Sequence, residues 1–264
     1  MIDSKTLLWY NSPGATHFNI NRAGKQLDWH GMDNKERFEQ NCQDPEKKIK
    51  LQSLGFLEPN CVTYKFNHQG FRCDEFDTRP AGIALGCSFT EGVGISVNDT
   101  WPSVLSGLVG QHIWNLGLGG GSMDTCFRML DHYIDILNPK FVVLCHPPAQ
   151  RFEFFDKYNK SRVLIAGHLD TEVHKEFGQE WMANDTNIKT NQRRNLLAMK
   201  WRCQEKNIPF FAFSVTNTPN NQDDLWKDAC ARDLSHPGGD TNHQFAHKIY
   251  KKIKDVVSPM KDLS

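Results

Sequence analysis

The chain has no surplus of either charge. Its 264 residues carry 31 Lys and Arg against 31 Asp and Glu. A nucleic-acid-binding domain, or a protein that adheres to an anionic bilayer, draws on a basic excess, so neither partner is expected. The local basic clusters, Lys47-Lys48-Ile49-Lys50 and Lys248 to Lys254, read as solvated helix faces. No apolar run approaches the roughly 18 residues that a membrane-spanning helix needs. The amino-terminal stretch Met-Ile-Asp-Ser-Lys-Thr-Leu-Leu-Trp-Tyr contains Asp3 and lacks an apolar core. It does not read as a signal peptide, and the expected compartment is the cytoplasm. Repeats and low-complexity tracts are absent. The cysteines, at positions 42, 61, 73, 87, 126, 145, 203 and 230, include no Cys-x-x-Cys spacing. Buried reduced thiols are therefore expected rather than a disulfide frame. His243 and His247 stand one helical turn apart, but no third metal ligand accompanies them, and a solvated face is expected. No metal or organic cofactor is expected.

What is present is an ordinary globular composition, with 39% hydrophobic and 23% charged residues, enough to bury a substantial core. Residues 1–61 are polar and irregular, with scattered aromatics (Trp9, Tyr10, Phe18, Trp29, Phe38) and a short helix over Asp33 to Gln43. So many aromatics suit an extension packed on the core better than a free linker. From residue 62 onward strands and helices alternate. Val62–Phe66 alternates as a strand. Asn67 to Arg72 follows, with Gly70 at a turn, Phe71 packed, and Arg72 expected to pair with Asp74 or Glu75. Ile83-Ala84-Leu85 reads as a buried strand, followed by a helix capped near Thr100 and running to Val109. Gln111–Asn115 is a second strand. A helix from Ser122 or Asp124 has its apolar face at Met123, Phe127, Leu130, Ile134 and Leu137, and ends at Asn138-Pro139. Phe141–Cys145 is the next buried strand.

Phe152 to Phe155 forms an aromatic cluster that lines a pocket or packs. Arg162–Ala166 reads as a short strand, and Gly167–Asn184 gives no clear pattern. A long helix over Asp185–Lys206, a strand at Ile208–Phe213, a short helix at Asp223–Cys230 and a last helix over Asn242–Val256 complete the pattern. Alternation of this kind implies parallel pairing and right-handed crossovers. The expected fold is a single three-layer α/β/α domain with a flavodoxin-like parallel sheet over residues 62–264, preceded by the extension.

The most informative stretch is Ala81 to Ser96. The apolar run breaks into Gly86-Cys87-Ser88-Phe89-Thr90-Glu91-Gly92. Glycine on both sides of a serine, directly after a buried strand, implies a sharp turn at that strand's carboxyl end, where open α/β sheets place ligands. A serine there is either a hydroxyl lifted beside free backbone N–H groups or a simple helix cap. Near the other end, Asp233-Leu234-Ser235-His236-Pro237 precedes the last helix, and Asn115-Leu116-Gly117-Leu118-Gly119-Gly120 lies between.

Together these three segments resemble the blocks of the SGNH (GDSL-like) hydrolase family. The match is Gly-x-Ser-x-x-x-Gly at Gly86 to Gly92, Asn-x-Gly-x-x-Gly at Asn115 to Gly120, and Asp-x-x-His at Asp233 and His236. Ala246 falls where the family's last helix buries an alanine. Asp240 and His243 share the Asp-x-x-His spacing, but Pro237 and Ala246 keep the family phasing for Asp233 and His236. The resemblance implies Ser88 as nucleophile, His236 as base, Asp233 as the group that orients it, and the backbone N–H groups of Ser88 and Gly120 as oxyanion donors. Cys87 replaces an aspartate usual in the family. As an alternative nucleophile it is weighed against a side chain facing into the protein. The family's third block, Gly-x-Asn-Asp, is missing. His146-Pro147-Pro148-Ala149-Gln150-Arg151 stands there, which leaves Gln150, Arg151 or His146 as substitutes for the Asn donor.

The implied activity is carboxylic ester hydrolysis through an acyl-serine intermediate, on a small acyl ester such as an O-acetyl group on a carbohydrate. The alternatives are an O-acyltransferase and, from another class, a non-catalytic carbohydrate-binding or structural module, for instance on a phage particle.

Overall fold

The computed structural model describes residues 17–58, 60–165, 172–214 and 230–257. Four parallel strands form its central sheet: β3 (Ala81–Leu85), β4 (His112–Asn115), β5 (Val142–Cys145) and β8 (Phe210–Phe213), in the order β4-β3-β5-β8. The sheet is hydrophobic on both faces, as parallel sheets are when crossovers cover them. Its side chains divide by parity. Ile83, Leu85, Val142 and Leu144 point to a core shared with helices α5 (Met123–Leu137) and α7 (Asp185–Glu205). Ala84, Val143 and Cys145 point the other way, to α4 (Trp101–Val109) and α8 (Gly239–Val257). This is the three-layer α/β/α fold that the alternation implies.

The helices begin where the sequence places caps. The Thr100 side chain accepts from the Ser103 amide at the start of α4. Ser122 and Thr125 form a reciprocal capping box on α5. The α5 stripe is buried at Met123, Leu130, Ile134 and Leu137, with Phe127 partly buried. The last helix starts at Gly239, three residues before the expected Asn242. The Asn242 side chain instead accepts from the Trp101 amide and ties α8 to α4. The Asp223–Cys230 helix lies outside the described residues, except for Cys230.

Between β5 and β8 stand an antiparallel hairpin, β6 (Phe152–Phe155) and β7 (Ser161–Leu164), and helix α6 (Glu172–Ala183). Of the Phe152–Phe155 cluster, Phe152 packs on Trp181 and Phe177 of α6, with ring centroids 4.6 and 6.2 Å away.

The segment before the domain is more ordered than its composition suggests. It carries β1 (Gln26–Leu27), α1 (Lys35–Gln43) and α2 (Pro45–Ser53), and β1 pairs antiparallel with β2 (Tyr64–Lys65). Arg72 does not pair with Asp74 or Glu75. Its guanidinium is buried and donates to the carbonyls of Gly92, Thr63 and Ile95. Three backbone carbonyls converge there, and the guanidinium's fork of donors reaches all of them. All eight cysteines are free, and Cys87, Cys126, Cys145 and Cys203 are buried.

Candidate active site

β3 lies between β4, reached by one crossover, and β5, reached by the next, so the strand order reverses at its carboxyl end. That is the topological switch point at which open α/β sheets form a crevice. The chain there turns through Gly86 into α3 (Ser88–Glu91), a single helical turn closed by Gly92. Gly86 is required by close approach. A Cβ at that position would stand 2.0 Å from Thr90 Oγ1 and 3.0 Å from the Cys145 carbonyl. Ser88 is the first residue of the turn. Its backbone N–H has no helical acceptor, and no acceptor among the described residues takes it or the Gly120 N–H.

The segment after β4 is laced to this turn. Leu116 N–H donates to the Ala84 carbonyl at 2.9 Å, and Leu118 N–H to the Gly86 carbonyl at 3.1 Å. Asn115 Nδ2 donates to the Thr90 carbonyl at 2.8 Å, and Asn115 Oδ1 accepts the Gly117 N–H at 2.9 Å. Gly120 follows with φ +85°, flanked by Ile165 Cδ1 and Phe18 Cε2 at 3.4 and 3.9 Å from where a Cβ would stand.

Residues 231–236 approach from the carboxyl side of the fold. Asp233 is buried, and its Oδ1 accepts the backbone N–H groups of Ser235 and His236, both at 3.0 Å. Its Oδ2 is 2.6 Å from His236 Nδ1. The other ring nitrogen, His236 Nε2, is 2.9 Å from Ser88 Oγ. Ser88, Asp233 and His236, 148 residues apart at their extremes of contact, thus form one continuous hydrogen-bonded line. Burial alone would raise the Asp233 carboxyl, but its bonds to the His236 ring and to two amides outweigh that and hold it below the ordinary carboxylate range. A side chain so placed stays ionised and keeps the His236 proton on Nδ1, leaving Nε2 free to accept from Ser88. Leu234, inside the turn, adopts φ +50°. That region is sparsely populated for a branched side chain and costs on the order of 1 to 3 kcal/mol. The two backbone bonds to Asp233 hold it there.

The candidates for a third donor separate. Arg151 reaches the glycine loop, with Nη1 donating to the Gly121 carbonyl at 3.2 Å. His146 Nδ1 faces Gln192 of α7 at 3.4 Å, and burial pushes its ring pKa down. Gln150 is exposed. Cys87 is buried, the orientation weighed against its use as nucleophile. His243, the alternative to His236, is exposed and bonds Asp99 at 3.2 Å. Two cavities, of about 320 and 590 Å³, lie apart from the triad, and neither is lined by Ser88, Asp233 or His236.

Sequence reasoning missed the groups that hold this arrangement from outside. Arg37 of α1 donates through Nε to the Asp233 carbonyl at 3.0 Å and through Nη2 to Ser235 Oγ. Arg232 makes a two-pronged pair with Asp33, through Nε at 2.9 Å and Nη2 at 2.8 Å, and lies over the Trp29 ring. Tyr64 Oη donates to Asp33 at 2.5 Å and accepts the Gly94 N–H at 2.8 Å. Glu91 is fully buried against Arg22 and His30. The one available signal was Glu91 itself, a carboxylate placed in a turn that the glycine spacing already marks as buried.

No family model and no curated protein matches this chain. Solved structures are similar to it at low sequence identity. One described as the crystal structure of TesA is 11% identical, covering 67% of this chain and 99% of that one, with a TM-score of 0.47. A psychrotrophic esterase, EstA, from Pseudoalteromonas sp. is 14% identical, covering 68% and 98%, with a TM-score of 0.36. A Clostridium thermocellum family 3 carbohydrate esterase is 13% identical, covering 67% and 96%, also with a TM-score of 0.36.

Proposed function

We propose that this protein is a serine esterase of the SGNH type that cleaves a small acyl ester through an acyl-serine intermediate. The observation that carries the reading is the line from Ser88 Oγ through His236 to Asp233, with its two contacts of 2.9 and 2.6 Å. Ser88 Oγ attacks the acyl carbonyl carbon while His236 Nε2 takes its proton. The carbonyl oxygen becomes an oxyanion, held by the N–H groups of Ser88 and Gly120. His236 returns the proton to the leaving alcohol. A water molecule, deprotonated by His236 in turn, then releases the acid and restores Ser88. Asp233 stabilises the imidazolium at each stage without itself being protonated. Phe18 and Ile165 stand beside Gly120 and offer apolar contact to an acyl chain held there. O-acetylated carbohydrate is the substrate class to assay first.

The test is hydrolysis of p-nitrophenyl acetate by the wild type and by Ser88→Ala, with fluorophosphonate labelling of both. The expected result is turnover and labelling in the wild type and neither in the variant. Turnover retained in Ser88→Ala removes Ser88 as nucleophile. A wild type that neither turns over nor labels favours a binding or structural module. Acetyl transfer to an added sugar alcohol in preference to water identifies an O-acyltransferase.

A further inference from the structure

Glu91 sits three residues after Ser88 on the same helical turn, and the reaction above does not use it. Its carboxylate is out of reach of solvent. Oε2 accepts the Gly119 N–H at 2.5 Å. Oε1 stands 2.5 Å from Arg22 Nη1 and 3.2 Å from His30 Nε2. Both partners belong to the segment that precedes α1. Arg22 is itself anchored, with Nε donating to the Gly70 carbonyl at 3.0 Å and the guanidinium 4.2 Å from the Phe66 ring centroid.

A buried carboxylate is costly unless it is paired and hydrogen-bonded. Burial alone would raise the Glu91 carboxyl, but Arg22, His30 and the Gly119 amide reverse this and hold it at about 2, so it is charged. A charge so protected has two effects on the neighbouring site. It fixes the Gly119 N–H, and with it the Leu118–Gly119 peptide, one residue before Gly120. It would also oppose an oxyanion forming nearby, were it not neutralised by Arg22. The ion pair therefore supplies a strong acceptor for the loop without adding net negative charge beside the reacting carbonyl.

We propose that Glu91 is a positioning residue for the oxyanion donors, acting through Gly119, and that Arg22 is required to neutralise it. The segment before α1 then belongs to the working site. This inference rests on the esterase reading and on Gly120 as donor.

The experiment uses full-length wild type, Glu91→Gln, Glu91→Leu, Arg22→Met and the double variant Arg22→Met/Glu91→Gln. Two readouts are taken: Gly119 amide hydrogen exchange, and kcat and KM on p-nitrophenyl acetate per site titrated with fluorophosphonate. Titration removes misfolded protein from the comparison, and Glu91→Gln, which keeps an amide oxygen for Gly119, guards against a Glu91→Leu variant that does not fold. Gly119 exchange is expected to accelerate about ten-fold or more in Glu91→Leu and to stay near wild type in Glu91→Gln. Arg22→Met is expected to lower kcat by roughly ten- to hundred-fold with KM within two-fold. The double variant should recover most of that loss, because the stranded charge is gone. Unchanged Gly119 exchange in Glu91→Leu (or, should that variant not fold, exchange in Glu91→Gln no slower than in a solvent-exposed loop amide) overturns the positioning role. A kcat per titrated site in Arg22→Met equal to wild type overturns the neutralising role. A wild type that does not react with fluorophosphonate overturns the esterase reading and the oxyanion role with it, and Gly119 exchange then shows only whether Glu91 holds the loop.

Discussion

Replacing Asp233 with asparagine changes one atom, and the geometry dictates which way the new side chain turns. Oδ1 of Asp233 accepts two backbone N–H groups, those of Ser235 and His236. Only an oxygen can do that, so the asparagine carbonyl takes the Oδ1 place and its NH₂ is left facing His236 Nδ1. An NH₂ donates where the carboxylate accepted. The ring proton is forced from Nδ1 to Nε2, and Nε2 then points a hydrogen at Ser88 Oγ instead of receiving one. The reactive tautomer becomes the rare one. Loss of the same relationship in a serine–histidine–aspartate site lowers kcat by about four orders of magnitude, which is about 5 kcal/mol of barrier. The cost to stability is smaller, because the two backbone bonds survive. Losing the charge-assisted bond should take on the order of 1.5 to 3 kcal/mol. The assay is kcat on p-nitrophenyl acetate and the fluorophosphonate inactivation rate, with the tautomer read from the ¹⁵N shifts of the His236 ring. A variant within ten-fold of wild type, or one whose ring keeps the Nδ1 proton, would refute the tautomer argument.

Stability should fall in acid in two stages. Burial holds His17 at about 4 against an ordinary 6.5, and the partners of Glu91 hold it at about 2 against 4.5. Both groups bind protons more readily in the unfolded chain, so their contributions are complete above the ordinary values and drain away as pH drops. The His17 part is lost between about 6.5 and 4 and the Glu91 part between about 4.5 and 2, each on the order of 3 kcal/mol. Tm measured against pH should show the lower stage disappear in Glu91→Gln, and a curve unchanged by that substitution would contradict the assignment. Arg232→Met should strand the buried Asp33 carboxylate and cost about 3 to 5 kcal/mol in urea unfolding. The double variant Arg232→Met/Asp33→Asn should recover part of it, and a single-variant loss under about 1 kcal/mol would mean that Tyr64 alone suffices for Asp33.

The parts of the molecule legible in the sequence are those set by near neighbours. The strand at Ile83 to Leu85, the α5 stripe and the Ser122 cap each depend on residues within a turn or two. The spacing of Gly86, Ser88 and Gly92 announces a tight turn for the same reason. What was illegible depends on distant partners. Asp33 and Arg232 are 199 residues apart in sequence, and each alone reads as a surface charge. Arg72 was expected to pair with the nearby Asp74 or Glu75, yet the turns at Gly92 and Ile95 supply carbonyls that only the fold brings within reach. In the segment before β2, the helix over Asp33 to Gln43 was legible and appears as α1, whereas α2, short and polar, was not. α1 is tied to the Asp233 turn by Arg37, and α2 buries Leu51.

The separation of Ser88 from His236 has a temporal meaning as well. A ribosome adds roughly 5 to 20 residues each second, and His236 follows Ser88 by 148 residues. On the proposed esterase reading, Ser88 is therefore made roughly 7 to 30 seconds before the imidazole that would activate it. During that interval the turn holds a serine without a base, unable to attack an ester in its surroundings. Arg22, by contrast, is synthesised before Glu91, so the cation of the buried pair is already part of the chain when the carboxylate is made. In the proposed site, the order of the chain supplies the base last and the cation of the buried pair first.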